Sequence, residues 1–277
     1  MVKKQSQNHA NNYEEQLLQV SSQSNVSFKS IHEMFNLPEN ELIIIAGPCA
    51  VESVTCLENI VTVLHQNNVR FLRGGAYKPR TSPYDFQGLG RAGLKILKTI
   101  GKKYGMFTVT EVVDTRQVGF ISQNADILQV GARNMQNYEL LKEVGKTQKP
   151  VLLKRGISAT IREFVYAAEY IALQGNREII LCERGIRTFE TEVRNTLDIS
   201  SIPILKKETK LPVLVDLSHS LGRKDIINSV AKAVLAAGAE GLMVEVHPCP
   251  DLALSDKKQQ LNPSEFKELI MELKGIR

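Results

Sequence analysis

The sequence predicts a single-domain α/β protein, a closed (β/α)8 barrel. Three observations lead there: eight short apolar runs, helix-period segments between them, and no GxGxxG loop after the first run. The runs cover residues 42–46, 69–73, 106–110, 126–130, 150–154, 178–182, 212–216 and 241–245. Most are rich in Val, Ile and Leu without polar alternation, the pattern of parallel strands buried on both faces. Strands alternating with helices fit either a closed barrel or an open doubly wound sheet. The count of eight favours the barrel, and so does the missing dinucleotide-type glycine loop. At 277 residues the chain has the length for it, since such barrels take ~250 residues.

The intervening segments carry helix signals. In residues 158–174, Ile161, Phe164, Val165, Ala168, Ile171 and Ala172 fall on one face. Thr160 and Glu163 have capping-box spacing, and Gly175 follows the helix end. A last helix is expected from Asn262-Pro263, with Phe266, Leu269, Ile270 and Leu273 on its apolar stripe. Residues 1–39, rich in Asn, Gln and Ser, read as a short polar N-terminal extension, partly flexible, ahead of a barrel spanning 40–277.

Bulk properties narrow the function classes. The longest apolar run, 42–46, is far shorter than the roughly 20 residues a membrane helix needs. The N-terminus has no apolar core of a secretory signal, so the expected location is the cytoplasm. Cys49, Cys56, Cys182 and Cys249 form no CxxC pair and read as reduced thiols. The net charge of +5 is spread evenly along the chain, with no basic helix or aromatic-interleaved stripe. Nucleic acid is therefore not the expected partner, nor is a membrane surface.

The active site of such a barrel lies where the strands run out into the following loops. Cys49 follows the first run; Arg73, Lys78 and Arg80 the second; Glu111 the third; and Arg133 the fourth. Lys154 ends the fifth, Arg184 follows the sixth, His219 follows the seventh, and Glu245 ends the eighth with Asp256 beyond. Two chemistries separate. Cys49, His219, Glu245 and Asp256 offer a thiolate, an imidazole and two carboxylates, suited to Mn2+, Fe2+, Co2+ or Zn2+ rather than Ca2+ or Mg2+. Arg73, Arg133 and Arg184, with Lys78 and Lys154, match phosphate and carboxylate oxygens.

Each residue also has a plainer reading. Cys49 after Gly47-Pro48 suits a small buried thiol in a turn. His219, between two serines, suits a loop or cap as well as a metal. Glu245 continues an apolar strand, where an unpaired carboxylate is costly, so function is the better reading there. Of Lys154 and Arg155, one reads as a solvated surface charge. Cys56, Cys182 and His247 show no spacing that lifts them above structure.

With these residues placed, the chain resembles the 3-deoxy-D-arabino-heptulosonate 7-phosphate (DAHP) synthases of the shorter, type I β form, which are TIM barrels. The likeness runs from about Leu42 onward through IAGPCAVES (45–53), RGGAYKPRTSPYDFQG (73–88), QVGARN (129–134), LLKRG (152–156), CERGIRT (182–188), DLSHSLGR (216–223) and EVHP…ALSD (245–256). The resemblance implies a metal-dependent condensation of phosphoenolpyruvate with erythrose 4-phosphate at the head of aromatic amino-acid biosynthesis. It places the metal, Mn2+ first among candidates, on Cys49, His219, Glu245 and Asp256. It sets Arg133 and Arg184 on the phosphate of phosphoenolpyruvate, Arg73 and Lys154 near its carboxylate, and Lys78 between the substrates. Arg80 and Thr81 fall where the family holds the aldose phosphate. Lys154, Lys78 and Glu111 form the implied catalytic set, and a homodimer or homotetramer is implied.

The related 3-deoxy-D-manno-octulosonate 8-phosphate synthases, which use arabinose 5-phosphate, share the AGPC opening and the EVHP ending. Lys78-Pro79-Arg80-Thr81 and Gly131-Ala132-Arg133 are of the heptulosonate kind. Two departures stand out: no fused regulatory domain is expected in the polar lead-in, and Cys249 stands where relatives carry a polar or acidic residue, near the metal loop and open to oxidation. The rivals are a Schiff-base aldolase with Lys154 as nucleophile and a barrel that binds metabolites without catalysis.

Overall fold

Why the apolar runs lack polar alternation is plain once the strands are placed. The computed structural model describes residues 17–80 and 82–275. Its strands β1 (Ile43–Gly47), β2 (Phe71–Arg73), β3 (Phe107–Val112), β4 (Ile127–Val130), β5 (Val151–Lys154), β6 (Ile179–Glu183), β7 (Val213–Asp216) and β8 (Gly241–Glu245) are parallel and close in sequence order into one barrel. Ile43 and Ile45 point into the barrel with Phe71, Val109 and Leu152, while Ile44 and Ala46 pack outward with Leu72 and Leu128. Both faces exclude water, so both must be apolar.

The outer layer is built by α1 (Ile31–Phe35), α2 (Val54–Gln66), α3 (Arg91–Tyr104), α4 (Thr115–Ser122), α5 (Tyr138–Lys146), α6 (Ile161–Ala172), α7 (Ser201–Glu208), α8 (Leu217–Leu221), α9 (Ile227–Ala236) and α10 (Pro263–Leu273). The expected caps form: Thr160 with Glu163 and Asn262 with Glu265 each make a reciprocal capping box. Strand boundaries move by a residue or two from the apolar runs. Val69 starts no strand because its N–H closes the end of α2 on Leu64, and Glu178 is held outside β6 by the Asn176 side chain.

From Leu17 onward the polar lead-in is packed against the barrel. The N–H groups of Gln19 and Val20 donate to the Glu169 carboxylate on α6. Helix α1, with its own Ser30–Glu33 capping box, and the turn after it place Ile31, Met34, Phe35 and Leu37 against the barrel interior. The Phe35 ring lies 5.0 Å from Phe71 and 4.6 Å from Phe107. A sequence rule based on composition reads this short helix as polar because its apolar residues are few; they are placed where the barrel needs a floor.

Closure between β8 and β1 sets the site. Their register pairs Gly47 with Glu245, and the backbones approach so closely that a Cβ on Gly241 would lie 2.1 Å from the Ile43 carbonyl oxygen. Replacing Phe35 by Ala should remove the aromatic floor and cost about 3 kcal/mol, the low end for Phe→Ala because Phe35 is only half-buried. Urea unfolding checks this, and a midpoint equal to that of the native chain would show that α1 does not brace the barrel.

Candidate active site

The strand ends gather the cluster expected from the sequence. Cys49, just after β1, is fully buried, and its Sγ lies 3.1 Å from Asp256 Oδ2. The ligand atoms of Cys49, Glu245 and Asp256 all fall within 4.8 Å of one another. His219, on α8, brings Nε2 to 3.5 Å from Glu245 Oε1 and 3.9 Å from Asp256 Oδ2. Asp256 takes a left-handed backbone conformation (φ 48°) to turn its side chain in. The four side chains come from two loops, a short helix and a strand end, joined only by the fold.

Glu245 has no exposure to solvent, and its charge is supported from several sides. Arg73 Nη1 donates to Oε1 at 2.9 Å, and Gln259 Nε2 donates to Oε2 at 2.5 Å. Arg194 in turn donates to the Gln259 amide oxygen at 2.6 Å, which fixes which way that amide faces. Asp216, the last residue of β7, joins the metal-type and cationic halves of the rim. Its Oδ2 accepts from His219 Nδ1 at 2.8 Å and from the Lys154 ammonium. Burial keeps the His219 pKa below its ordinary value despite Asp216 and Glu245. With Nδ1 turned to Asp216, the ring presents Nε2 to the cluster, as a lone pair once the imidazolium has lost its proton.

Beside this cluster opens a cleft lined by Lys78, Arg80, Arg133, Lys154, Arg184, Arg187 and Arg194, with His219 and Asp256 at one wall. Arg184 is buried, donates to the His219 carbonyl at 3.1 Å, and has its charge disfavoured by burial and by Arg194 nearby. Such a cationic set is relieved when an anion enters. Arg73 lies outside the cleft lining, held by Glu245. Glu111, on β3, also lies outside it and accepts from Gln129 at 3.3 Å. Gly131 leaves it room, because a Cβ there would come within 2.1 Å of Glu111 Oε1. Thr81 falls outside the described residues.

One expectation is corrected. Neither Lys154 nor Arg155 is a solvated charge: Arg155 is 3% exposed and pairs with Glu183 at 2.8 Å and Asp198 at 2.9 Å. Arg155 follows β5 into the packed rim, where Glu183 at the end of β6 and Asp198 supply its partners. Sequence reading passed over Asp216, Arg187, Arg194 and Gln259. Asp216 was findable, since it ends an apolar run as Glu245 does. The other three sit on long loops with no periodicity to mark them.

The charges shape each group. The Cys49 thiol is pushed up to about 12, first by burial and then by the carboxylate of Glu245, so a cation must be present before the sulfur becomes a thiolate. Burial alone would raise Asp256, but Arg194, His219 and the Cys49 hydrogen bond hold it at about 2. Asp216 and Glu245 are likewise held below the ordinary range against burial, with His219 the leading counter-influence on each. Folded values below unfolded ones mean that the unfolded chain binds more protons. The stabilisation is therefore complete above the carboxylate range and is lost as pH falls through it. Denaturation midpoints should decline progressively as pH falls from about 5 to about 2, and Asp256→Asn should flatten that slope. Equal slopes for the two proteins would contradict the assignment.

Comparison with known proteins gives the family. The profile of the DAHP synthetase I family matches residues 19–276. A curated relative from Thermotoga maritima, named phospho-2-dehydro-3-deoxyheptonate aldolase, is 56% identical over 84% of this chain and 69% of its own length. A Geobacter sulfurreducens 2-dehydro-3-deoxyphosphooctonate aldolase is 29% identical over 86% of this chain and 93% of its own. The crystal structure of the Thermotoga DAHP synthase superimposes with a TM-score of 0.86 at 50% identity, covering 92% of this chain and 75% of that one. A barrel closed in sequence order, a rim of this composition and a family profile spanning nearly the whole described chain lead to one assignment: the protein belongs to the DAHP synthetase I family.

Proposed function

We propose that this chain is a DAHP synthase that condenses phosphoenolpyruvate with erythrose 4-phosphate and water, giving DAHP and inorganic phosphate. The observation that carries this reading is the juxtaposition at one rim of a cation-lined cleft and a thiol–imidazole–carboxylate cluster. The first suits two phosphorylated substrates. The second suits one divalent cation, held by Cys49, His219, Glu245 and Asp256. Mixed S, N and O donors fit Mn2+, Fe2+, Co2+ or Zn2+, with Mn2+ first among them. Such an ion supplies Lewis acidity toward an aldehyde oxygen or a water.

The chain's own residues do the rest. Arg133 and Arg184 hold the phosphate of phosphoenolpyruvate, and Lys154 faces its carboxylate, with Arg73 behind it in its pair with Glu245. Arg80, with Thr81, takes the aldose phosphate, and Arg187 and Arg194 add positive charge at the cleft wall. Held this way, C3 of the enol meets the aldehyde carbon, and water adds at C2 before phosphate leaves. Lys154 delivers a proton to the developing alkoxide, and Asp216, its buried partner, keeps the ammonium in place. Lys78 lies between the substrates: burial would depress its pKa, but Cys49, Glu111 and Glu245 raise it and keep it charged. Glu111 belongs to the proton and water network beside it. The thiols are all free, and no described helix is long and apolar enough to cross a membrane; the cytoplasm is the proposed location.

Erythrose 4-phosphate is preferred over arabinose 5-phosphate because the heptonate relative is 56% identical and the octonate relatives shown are 28–30% identical, in line with Lys78-Pro79-Arg80-Thr81. Loss of phosphoenolpyruvate absorbance should require erythrose 4-phosphate, stop with EDTA and return with Mn2+. Faster turnover with arabinose 5-phosphate would overturn the substrate assignment, and EDTA-resistant turnover with borohydride trapping would point to a Schiff base. Lys154→Met should lower kcat by ~10²–10⁴-fold; near-native turnover would remove its proton role. Asp216→Asn should weaken metal binding by ~10–100-fold, read by metal titration, and unchanged affinity would show that it does not orient His219.

A further inference from the structure

A second group of metal-competent side chains lies outside the cleft at the same end of the barrel. Glu52, in the loop between β1 and α2, Cys56 in the first turn of α2, and His247, just past β8, each offer one ligand atom, all within 4.8 Å of one another. Cys56 Sγ lies 3.3 Å from His247 Nε2, and Nε2 lies 3.4 Å from Glu52 Oε2. The other Glu52 oxygen accepts the Leu254 N–H at 2.8 Å, which leaves Oε2 aimed at the ring. The His247 and Glu52 side chains are only 4% and 12% exposed. None of the three lines the cleft.

We propose that Glu52, Cys56 and His247 form a site for a second divalent cation of the zinc class, with the Cys249 thiol as fourth donor. Thiol, imidazole and carboxylate together suit Zn2+ in a tetrahedral shell and disfavour Ca2+ and Mg2+. Beyond burial, the groups acting on the Cys56 thiol are both acidic: it is pushed up to about 11 by burial, then by Glu52 and Cys249. A cation supplies what is missing and displaces the thiol proton. The imidazole tautomer must change on binding. Without the ion, His247 Nδ1 accepts the Cys249 N–H at 3.1 Å, so the ring's proton sits on Nε2. With the ion on Nε2 the proton sits on Nδ1 and the Cys249 amide gives up that bond. This frees the backbone to turn the exposed Cys249 thiol inward.

The role is that of a brace. Glu52 shares its loop with Cys49, and His247 begins the segment that runs from Glu245 to Asp256, so the ion would tie together the segments that carry three ligands of the proposed catalytic metal. The inference does not depend on the reaction assigned to the cleft. The reduced, chelator-stripped full chain is dialysed against Zn2+ and its bound metal measured. The native chain should hold two equivalents, and Cys56→Ala, Glu52→Ala and Cys49→Ala one each. With Co2+, a thiolate charge-transfer band should persist in Cys49→Ala and vanish in the Cys49→Ala/Cys56→Ala double variant. Two equivalents retained in both Cys56→Ala and Glu52→Ala, or no thiolate band in Cys49→Ala, would overturn the site. A single native equivalent lost in Cys56→Ala but kept in Cys49→Ala would support it while removing the catalytic metal.

Discussion

Glu245 is a carboxylate with no access to water at the end of the strand that closes the barrel, and much of the rim is arranged to keep it charged. An isolated ion in such a place is prohibitively costly. Here Arg73 reaches it from β2, Gln259 from the loop after β8, and His219 from α8. Each partner is tied in turn: Gln259 to Arg194, and His219 to Asp216 and through it to Lys154. Removing one partner would leave a buried charge unpaired, which is why such pairs are strongly destabilising to break even where they add little net stability. The register that sets Gly47 opposite Glu245 brings Cys49 alongside.

The rim is divided by charge. On one side the Cys49–Glu245–Asp256 group is rich in negative charge and sulfur and favours a cation. On the other, Arg133, Arg184 and their neighbours favour anions. Asp216 and Arg194 sit on the boundary and touch both halves: Asp216 holds His219 and Lys154, and Arg194 lies 3.4 Å from Asp256 while lining the cleft. A cation and an anionic substrate bound side by side would neutralise each other's surroundings. In the proposed function this is how the rim can be stable when empty and more favourable when filled.

The barrel was legible in the sequence because parallel strands under helices must be apolar on both faces, which the runs from 42 to 245 display without alternation. The strand-end rule then located Cys49, Lys154, His219 and Glu245, since any charged or polar residue that interrupts such a run at its end faces the rim. The same rule applies to Asp216, which ends its apolar run as Glu245 does. Arg194 and Gln259 carried no such mark: their positions follow from loop paths that bring residues 65 apart in the chain into contact. The floor formed by Phe35 was illegible for a related reason, because a five-residue helix is too short to show a period. Arg155 misled because a basic pair suggests a surface, whereas its partners Glu183 and Asp198 come from later in the chain.

The central claim is that one cation and one phosphate share this rim, each held by its own half. Anomalous diffraction from crystals soaked with Mn2+ and phosphoenolpyruvate tests both parts together. The account predicts a manganese peak bounded by Cys49, His219, Glu245 and Asp256, with the substrate phosphate between Arg133 and Arg184. A manganese peak outside those four side chains, or a phosphate bound away from the two arginines, would contradict it.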